Sequence, residues 1–211
     1  MVYGSQSTLA DMQTGAYVSA SPEHALCIRF GAQLARFYGL PSRGGGSKSD
    51  VHFVSAISGF ESMLTMLTTY MEKMNIVILS AGISDSVMAM SYEKFLLDLQ
   101  IIAMAKRFVQ GVLIDGETLA LDAIHEVGPG GEFLTNDHTL KFCRSERWPA
   151  TIDSSAANLL NNHKDMMQWL KEKKEDMLDA YRQPELPDDV RSDMEKYLVD
   201  AGFDAKLPML N

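Results

Sequence analysis

Apolar residues recur along this chain at helical spacing, in blocks separated by short breaks rich in glycine, proline and serine. Leu26, Phe30, Leu34, Phe37 and Tyr38 form the first block. It opens at Ser21, Pro22 and Glu23, which supply a capping hydroxyl, a first-turn proline and an early carboxylate suited to the helix dipole. Gly39 and Pro41 stop it. From Pro41 to Asp50 the consecutive glycines Gly44, Gly45 and Gly46 cannot continue a helix, which predicts a short strand running into a loop. Phe53, Ile57, Phe60, Leu64, Leu67 and Met71 mark a second helix. The continuous run Ile76, Val77, Ile78, Leu79 then predicts a buried parallel strand ending in Ser80, Ala81 and Gly82. A third helix starts near Ser91 and carries Phe95, Leu99, Ile102 and Ala103 on one face. The order helix, strand, helix, strand, helix is that of an α/β fold.

The C-terminal third changes character. Glu117 to Val127 predicts a short helix with Leu119 and Ile124 inward, stopped by Gly128, Pro129, Gly130 and Gly131. Asn136 and Asp137 suit the start of another, which makes His138 structural. Beyond Trp148 and Pro149 lie a Ser/Ala/Asn stretch, a long charged helix around Asp165 to Tyr181, then Pro184, Pro187 and a last helix near Asp189 to Ala201. Lys171, Glu172, Lys173 and Lys174 form a solvated face. These pieces predict an all-helical tail.

Composition narrows the function classes. With 46% hydrophobic residues in 211, the chain has apolar material for a sizeable core. A formal charge of −9 without any Lys/Arg cluster argues against a nucleic-acid partner, because phosphate binding needs concentrated positive charge. No apolar run long enough for a membrane span and no basic-then-apolar leader appears, so no membrane role is expected and the cytoplasm is the expected compartment. Cys27 and Cys143 are far apart and lack ligand spacing, so neither a disulfide framework nor a metal site is expected. The 14 methionines fall mostly in apolar helical stretches, where a flexible thioether fills irregular gaps.

Three stretches carry a family resemblance: Tyr3–Gly15 (YGSQSTLADMQTG), Gln33–Asp50 (QLARFYGLPSRGGGSKSD) and Leu119–Thr139 (LALDAIHEVGPGGEFLTNDHT). Gly59–Leu67 (GFESMLTML) and Ser91–Asp98 (SYEKFLLD) fall where counterparts are expected. Together, over roughly residues 1 to 182, they resemble the trimethylamine methyltransferase family. The resemblance implies an α/β fold, the C-terminal part of a TIM-type (βα)8 barrel with a helical C-terminal tail, since such barrels take about 250 residues or more. Residues 1–150 are expected to form the C-terminal half of the barrel and 151–211 a helical extension packed on it. A half barrel leaves strand edges and helix faces unpaired, so self-association into a homo-oligomer is expected.

The activity implied by the resemblance is methyl transfer from a tertiary or quaternary amine to cobalt in a corrinoid carried by a separate protein, with no cofactor bound directly to this chain. The trimethylamine branch of the family carries pyrrolysine in the glycine-rich loop. Here that position falls on Gly46, which favours a betaine-like quaternary amine. In a barrel the working residues follow the strands, which selects Gly4–Ser7, Arg43–His52 and Ser80–Ser86. Asp50 and His52 are the candidate catalytic residues: Asp50 to face the cationic head, His52 to titrate near neutrality or bond a substrate carboxylate. Gln6, Ser80 and Ser84 can hydrogen-bond a polar tail, and Gly45, Gly46 and Ser47 offer backbone that a ligand can approach. Asp85 either faces a cation or caps a helix, and His52 is open to a plain surface reading. Relatives commonly show Asp-Ala-Lys followed by Asp-Ala-Gln where this chain has Asp50, Val51, His52 and then Ser55, Ala56, Ile57. That departure keeps a second reading open, a non-catalytic relative or inactive fragment that binds a methylated amine or a partner.

Overall fold

The structure is a computed structural model that describes residues 1–4, 7–148, 150, 165–182 and 185–203. The sequence positions Gln6, Pro149, the Ser/Ala/Asn stretch and Pro184 lie outside the described residues. Two compact units result, Met1–Lys174 and Glu175–Asn211.

In the first unit three short strands, β1 (Tyr3–Gly4), β4 (Ser42–Gly44) and β5 (Ile76–Val77), form a parallel sheet in the order β1-β4-β5. Helix α1 (Pro22–Phe37) connects β1 to β4, and α2 (Ala56–Met71) connects β4 to β5. Two antiparallel pairs complete the sheet structure, β2 (Leu9–Ala10) with β3 (Tyr17–Val18) and β6 (Ile83–Ser84) with β7 (Ala89–Met90). Helix α3 (Tyr92–Gln110), two short helices α4 (Leu121–Val127) and α5 (Asp137–Phe142), and α6 (Met166–Asp179) follow. The second unit takes the end of α6 together with α7 (Asp188–Asp200). The described chain is therefore mixed α/β, with seven helices and small sheets. None of these helices is long and apolar enough to cross a membrane.

Helix starts follow local chemistry. Ser21 accepts from the His24 amide at 3.2 Å, with Pro22 in the first turn. Ser55 and Ser58 form a reciprocal capping box at α2. Ser91 caps α3, and Asn136 caps α5 through the His138 amide.

Which helix face turns inward differs from the sequence expectation. Helix α1 buries Ala25, Ile28, Ala32 and Ala35, while Phe30 is 58% and Phe37 80% exposed. Helix α2 buries Ser58, Ser62, Thr65, Met66 and Thr69, leaving Phe60 62% exposed. Small side chains let these helices approach their neighbours closely, and the α2 hydroxyls satisfy themselves locally: Thr65 donates to Glu61 O at 3.1 Å and Thr69 to Thr65 O at 2.8 Å. Leu119 and Ile124, expected inward, are both exposed because α4 is short and buries none of its residues. The run from Ile76 to Leu79 is not a continuous buried strand: only Ile76 and Val77 pair, with β4 on one side, and Leu79 adopts a left-handed φ of 52° that ends the extended backbone. The apolar core sits instead between α2, α3 and the start of α6, around Met66, Leu96, Leu97, Ile101, Ala105 and Leu170.

Candidate functional site

Where the parallel strands end, two loops are laced together. The loop after β4 meets the loop after β5 through Ile78 N–H to Gly44 O at 3.4 Å and Ser47 N–H to Ser80 O at 3.3 Å. Farther along, Asp85 N–H reaches Val51 O at 3.1 Å and Ser86 N–H reaches Ser49 O at 3.4 Å. These last bonds hold a single 3-10 turn, Asp85–Val87, in which all three residues have positive φ, 53°, 50° and 77°. Left-handed backbone at three successive residues with side chains is costly, and a β-branched valine is the least suited of all. The cost is carried by the loop contacts, and the outcome is that Ser86, Val87 and Met88 become part of a cavity wall.

The glycines of the first loop are filled by the protein itself. A Cβ on Gly45 would stand 2.0 Å from Thr69 Oγ1, and one on Gly46, at φ 110°, would stand 2.2 Å from Ile78 O. The space freed by their missing side chains is taken by α2 and by the backbone after β5. Gly44 and Gly45 nevertheless line the cavity.

That cavity has a volume of about 420 Å³ and is lined by the apolar Ile28, Met74, Ile78, Leu79 and Met88, with Tyr17, His24, Cys27, Lys48 and Ser86 supplying polar atoms. Lys48 is 6% exposed and His24 5%. Lys48 Nζ lies 3.3 Å from His24 Nε2. An ammonium only donates, so Nε2 accepts and the ring proton sits on Nδ1, which has no hydrogen-bond partner among the described residues. Burial, then the Lys48 charge, pushes the His24 pKa down to about 4, with Asp50 pulling the other way. Burial lowers Lys48 as well, opposed by Asp50.

Asp50 is saturated. Its oxygens accept from Ser19 N–H at 2.9 and 3.0 Å, Ser19 Oγ at 2.6 Å, Ala20 N–H at 3.1 Å and Ser86 Oγ at 3.1 Å. It thus ties the glycine-rich loop to the entry of α1 and to the strained turn. Glu61 reinforces the same loop by accepting from Ser49 Oγ at 2.8 Å and Asp50 N–H at 3.0 Å. Behind the β6 hairpin, Lys94 and Asp98 form a buried pair at 2.6 Å, with Ser62 Oγ on the lysine at 2.8 Å and Gly82 N–H on the carboxylate at 2.8 Å. Burial pushes Asp98 up and Lys94 down, and their contact opposes both.

The remaining residues singled out from the sequence are dispersed around this centre. His52 Nδ1 and Asp85 Oδ1 pair at 2.6 Å on the outer surface, where His52 is 76% exposed; Asp85 lies within the 3-10 turn and does not cap it. Ser47 is fully buried and its Oγ has no partner among the described residues. Ser80 Oγ turns back to Val77 O at 3.4 Å, and Ser84 is buried in β6. Sequence reasoning passed over Tyr17 and His24, and it took in Lys48 and Ser86 only as members of the stretches Arg43–His52 and Ser80–Ser86. Lys48 had a legible signal, a cation between small residues in a post-strand loop, whereas nothing in the sequence marks His24, which reads as an ordinary first-turn residue. Among the described residues no group of three or more His, Cys, Asp or Glu side chains could hold a metal ion.

Comparison with known proteins gives the family of the chain. The family model for trimethylamine methyltransferase (MTTB) matches residues 1–201. The chain belongs to the trimethylamine methyltransferase family. It is 45% identical over 157 residues to a glycine betaine methyltransferase of Desulfitobacterium hafniense strain Y51, covering 74% of this chain and 33% of that protein. It is 33% identical over 195 residues to the trimethylamine methyltransferase MttB2 of Methanosarcina mazei, 92% of this chain and 39% of that one. To the MttB of Desulfitobacterium hafniense strain DCB-2 it is 30% identical over 192 residues, 90% and 38% respectively. The chain thus spans 33 to 39% of the length of these family members.

Proposed function

We propose that this chain belongs to an enzyme that takes a methyl group from a betaine-like quaternary amine and delivers it to the cobalt of a corrinoid carried by a separate protein. The observation that carries the reading is a small, largely apolar cavity where the parallel strands end, in a chain of the trimethylamine methyltransferase family. The greater identity to a relative named for glycine betaine than to those named for trimethylamine favours the quaternary substrate. In this reading the sequential order β1-β4-β5, with a helix between successive strands, belongs to the C-terminal part of a (βα)8 barrel formed by residues 1–150, and 151–211 are its helical extension.

A corrinoid on its carrier protein would supply the nucleophile for the methyl, and the electron pair of the broken carbon–nitrogen bond would stay on the amine. Because the amine leaves neutral, no acid is required, and the work left to the chain is positioning and water exclusion. Ile78, Leu79 and Met88 offer apolar contact to N-methyl groups, and Tyr17 a π face to the cation. Asp50 acts as a positioning residue, holding the loop and the strained turn in register. His52 and Asp85 pair on the exposed surface, open to a docking protein. A volume of about 420 Å³ suits a small methylated amine and is far too small for a corrin ring, so no residue of this chain is assigned to hold one. Self-association belongs to the same reading, supported by the outward Phe30, Phe37 and Phe60. Sedimentation equilibrium at a single-chain mass would remove it.

The test is incubation of the protein with glycine betaine and a reduced corrinoid protein. Dimethylglycine should appear together with the spectrum of a methylated corrinoid. Calorimetric binding of betaine without any transfer would mark the non-catalytic relative instead.

A further inference from the structure

We propose that Lys48, backed by His24, anchors the carboxylate of a zwitterionic methylated amino acid, so that the cavity selects betaines over methylated amines that carry no anion. This deepens the reading above and rests on it.

An ammonium has three N–H donors, and Lys48, 6% exposed, uses one of them on His24 Nε2. No other hydrogen-bond partner of its Nζ is found among the described residues. The imidazole is neutral at physiological pH and cannot balance the charge. Asp50 favours the Lys48 charge from a distance but is in no direct ion pair with it, and its oxygens accept from Ser19, Ala20 and Ser86. A buried ammonium left in that condition is unfavourable, and a carboxylate arriving through the cavity corrects it with charge and acceptor lone pairs together. Lys48 is the single charged side chain among the described residues of the cavity wall, which matches a monoanion better than a phosphate dianion. Ile78, Leu79 and Met88 line the same cavity and offer a surface for the methyl-bearing end. A ligand with one carboxylate and one quaternary ammonium matches both kinds of lining that this cavity offers. His24 orients the lysine, and the lysine reads the anion.

Titration calorimetry on the wild-type protein with glycine betaine and with choline, repeated on Lys48→Met and Lys48→Arg, tests this. Wild type should bind betaine at least about tenfold more tightly than choline, as expected when a site built for a polar group meets an analogue lacking it. Lys48→Met should erase that preference by weakening betaine without weakening choline, whose cation loses a like-charged neighbour, and Lys48→Arg should retain part of it. Equal binding of betaine and choline by wild type overturns the carboxylate anchor and leaves the methylated-amine reading standing. Binding of neither overturns both. Should Lys48→Met fail to fold by circular dichroism, competition on wild type decides: acetate must displace betaine and leave choline in place, and the reverse result sinks the proposal.

Discussion

Lys94 and Lys48 are both buried, yet one is complete and the other is not. Lys94 meets both oxygens of Asp98 and the Ser62 hydroxyl, and Asp98 in turn accepts from Gly82 N–H, so every member of that cluster is spoken for. Lys48 has one neutral imidazole. The first arrangement is a structural clamp that fastens α3 to α2 and to the β6 hairpin. The second has spare donors beside a cavity, the feature on which the proposed anchor rests. Burial alone does not separate them; satisfaction does.

That contrast can be broken experimentally, beginning where the effect is largest. Asp98→Asn strands a buried ammonium and should cost about 3–5 kcal/mol of stability. Urea unfolding measures it, and a paired Lys94→Met/Asp98→Leu replacement should recover most of the loss. Acid titration comes next. His24 has a pKa of about 4 when folded against 6.5 in an unfolded chain, so between those values the unfolded state binds the extra proton. Stability from this group is therefore full above pH 6.5 and falls as pH drops towards 4, by about 3 kcal/mol at about 1.4 kcal/mol per pH unit. Thermal melts of wild type and His24→Gln should diverge over that window, and parallel curves would refute the assignment. Lys48→Met, by contrast with Asp98→Asn, should lower the unfolding free energy measured in urea by no more than about 1 kcal/mol, since it exchanges an under-satisfied charge for one unpaired imidazole nitrogen. Smallest of all is His52→Ala: the exposed pair with Asp85 should be worth under about 1 kcal/mol and should weaken further in salt.

Local signals were readable and cooperative ones were not. The helix starts at Ser21, Ser91 and Asn136 follow from side chains within three residues of the amides they cap, so sequence sufficed; the Ser55 capping box is as local, but the apolar stripe puts Phe53 in that helix, ahead of its cap. The inward faces of α1 and α2 were misread because hydrophobic spacing picks out Phe30 and Phe60, whereas close approach to the neighbouring elements selects Ala32, Ser62 and Thr69. The rule that working loops follow parallel strands drew attention to the stretches at Gly44–Gly46 and Ser80, which the structure laces together. It could not tell that Asp50 spends its oxygens on Ser19 and Ala20, nor that the room at Gly45 and Gly46 is used by Thr69 and the Ile78–Leu79 backbone.

By itself the sequence determined the alternation of helix and strand, the caps, and membership of a methyltransferase family, because each is written in neighbouring residues or in ordered motifs. Only the tertiary structure decided which polar groups go unsatisfied. His24 and Lys48 lie 24 positions apart and meet because α1 and the post-β4 loop pack on the same sheet, and whether a buried charge finds a partner depends on every element around it.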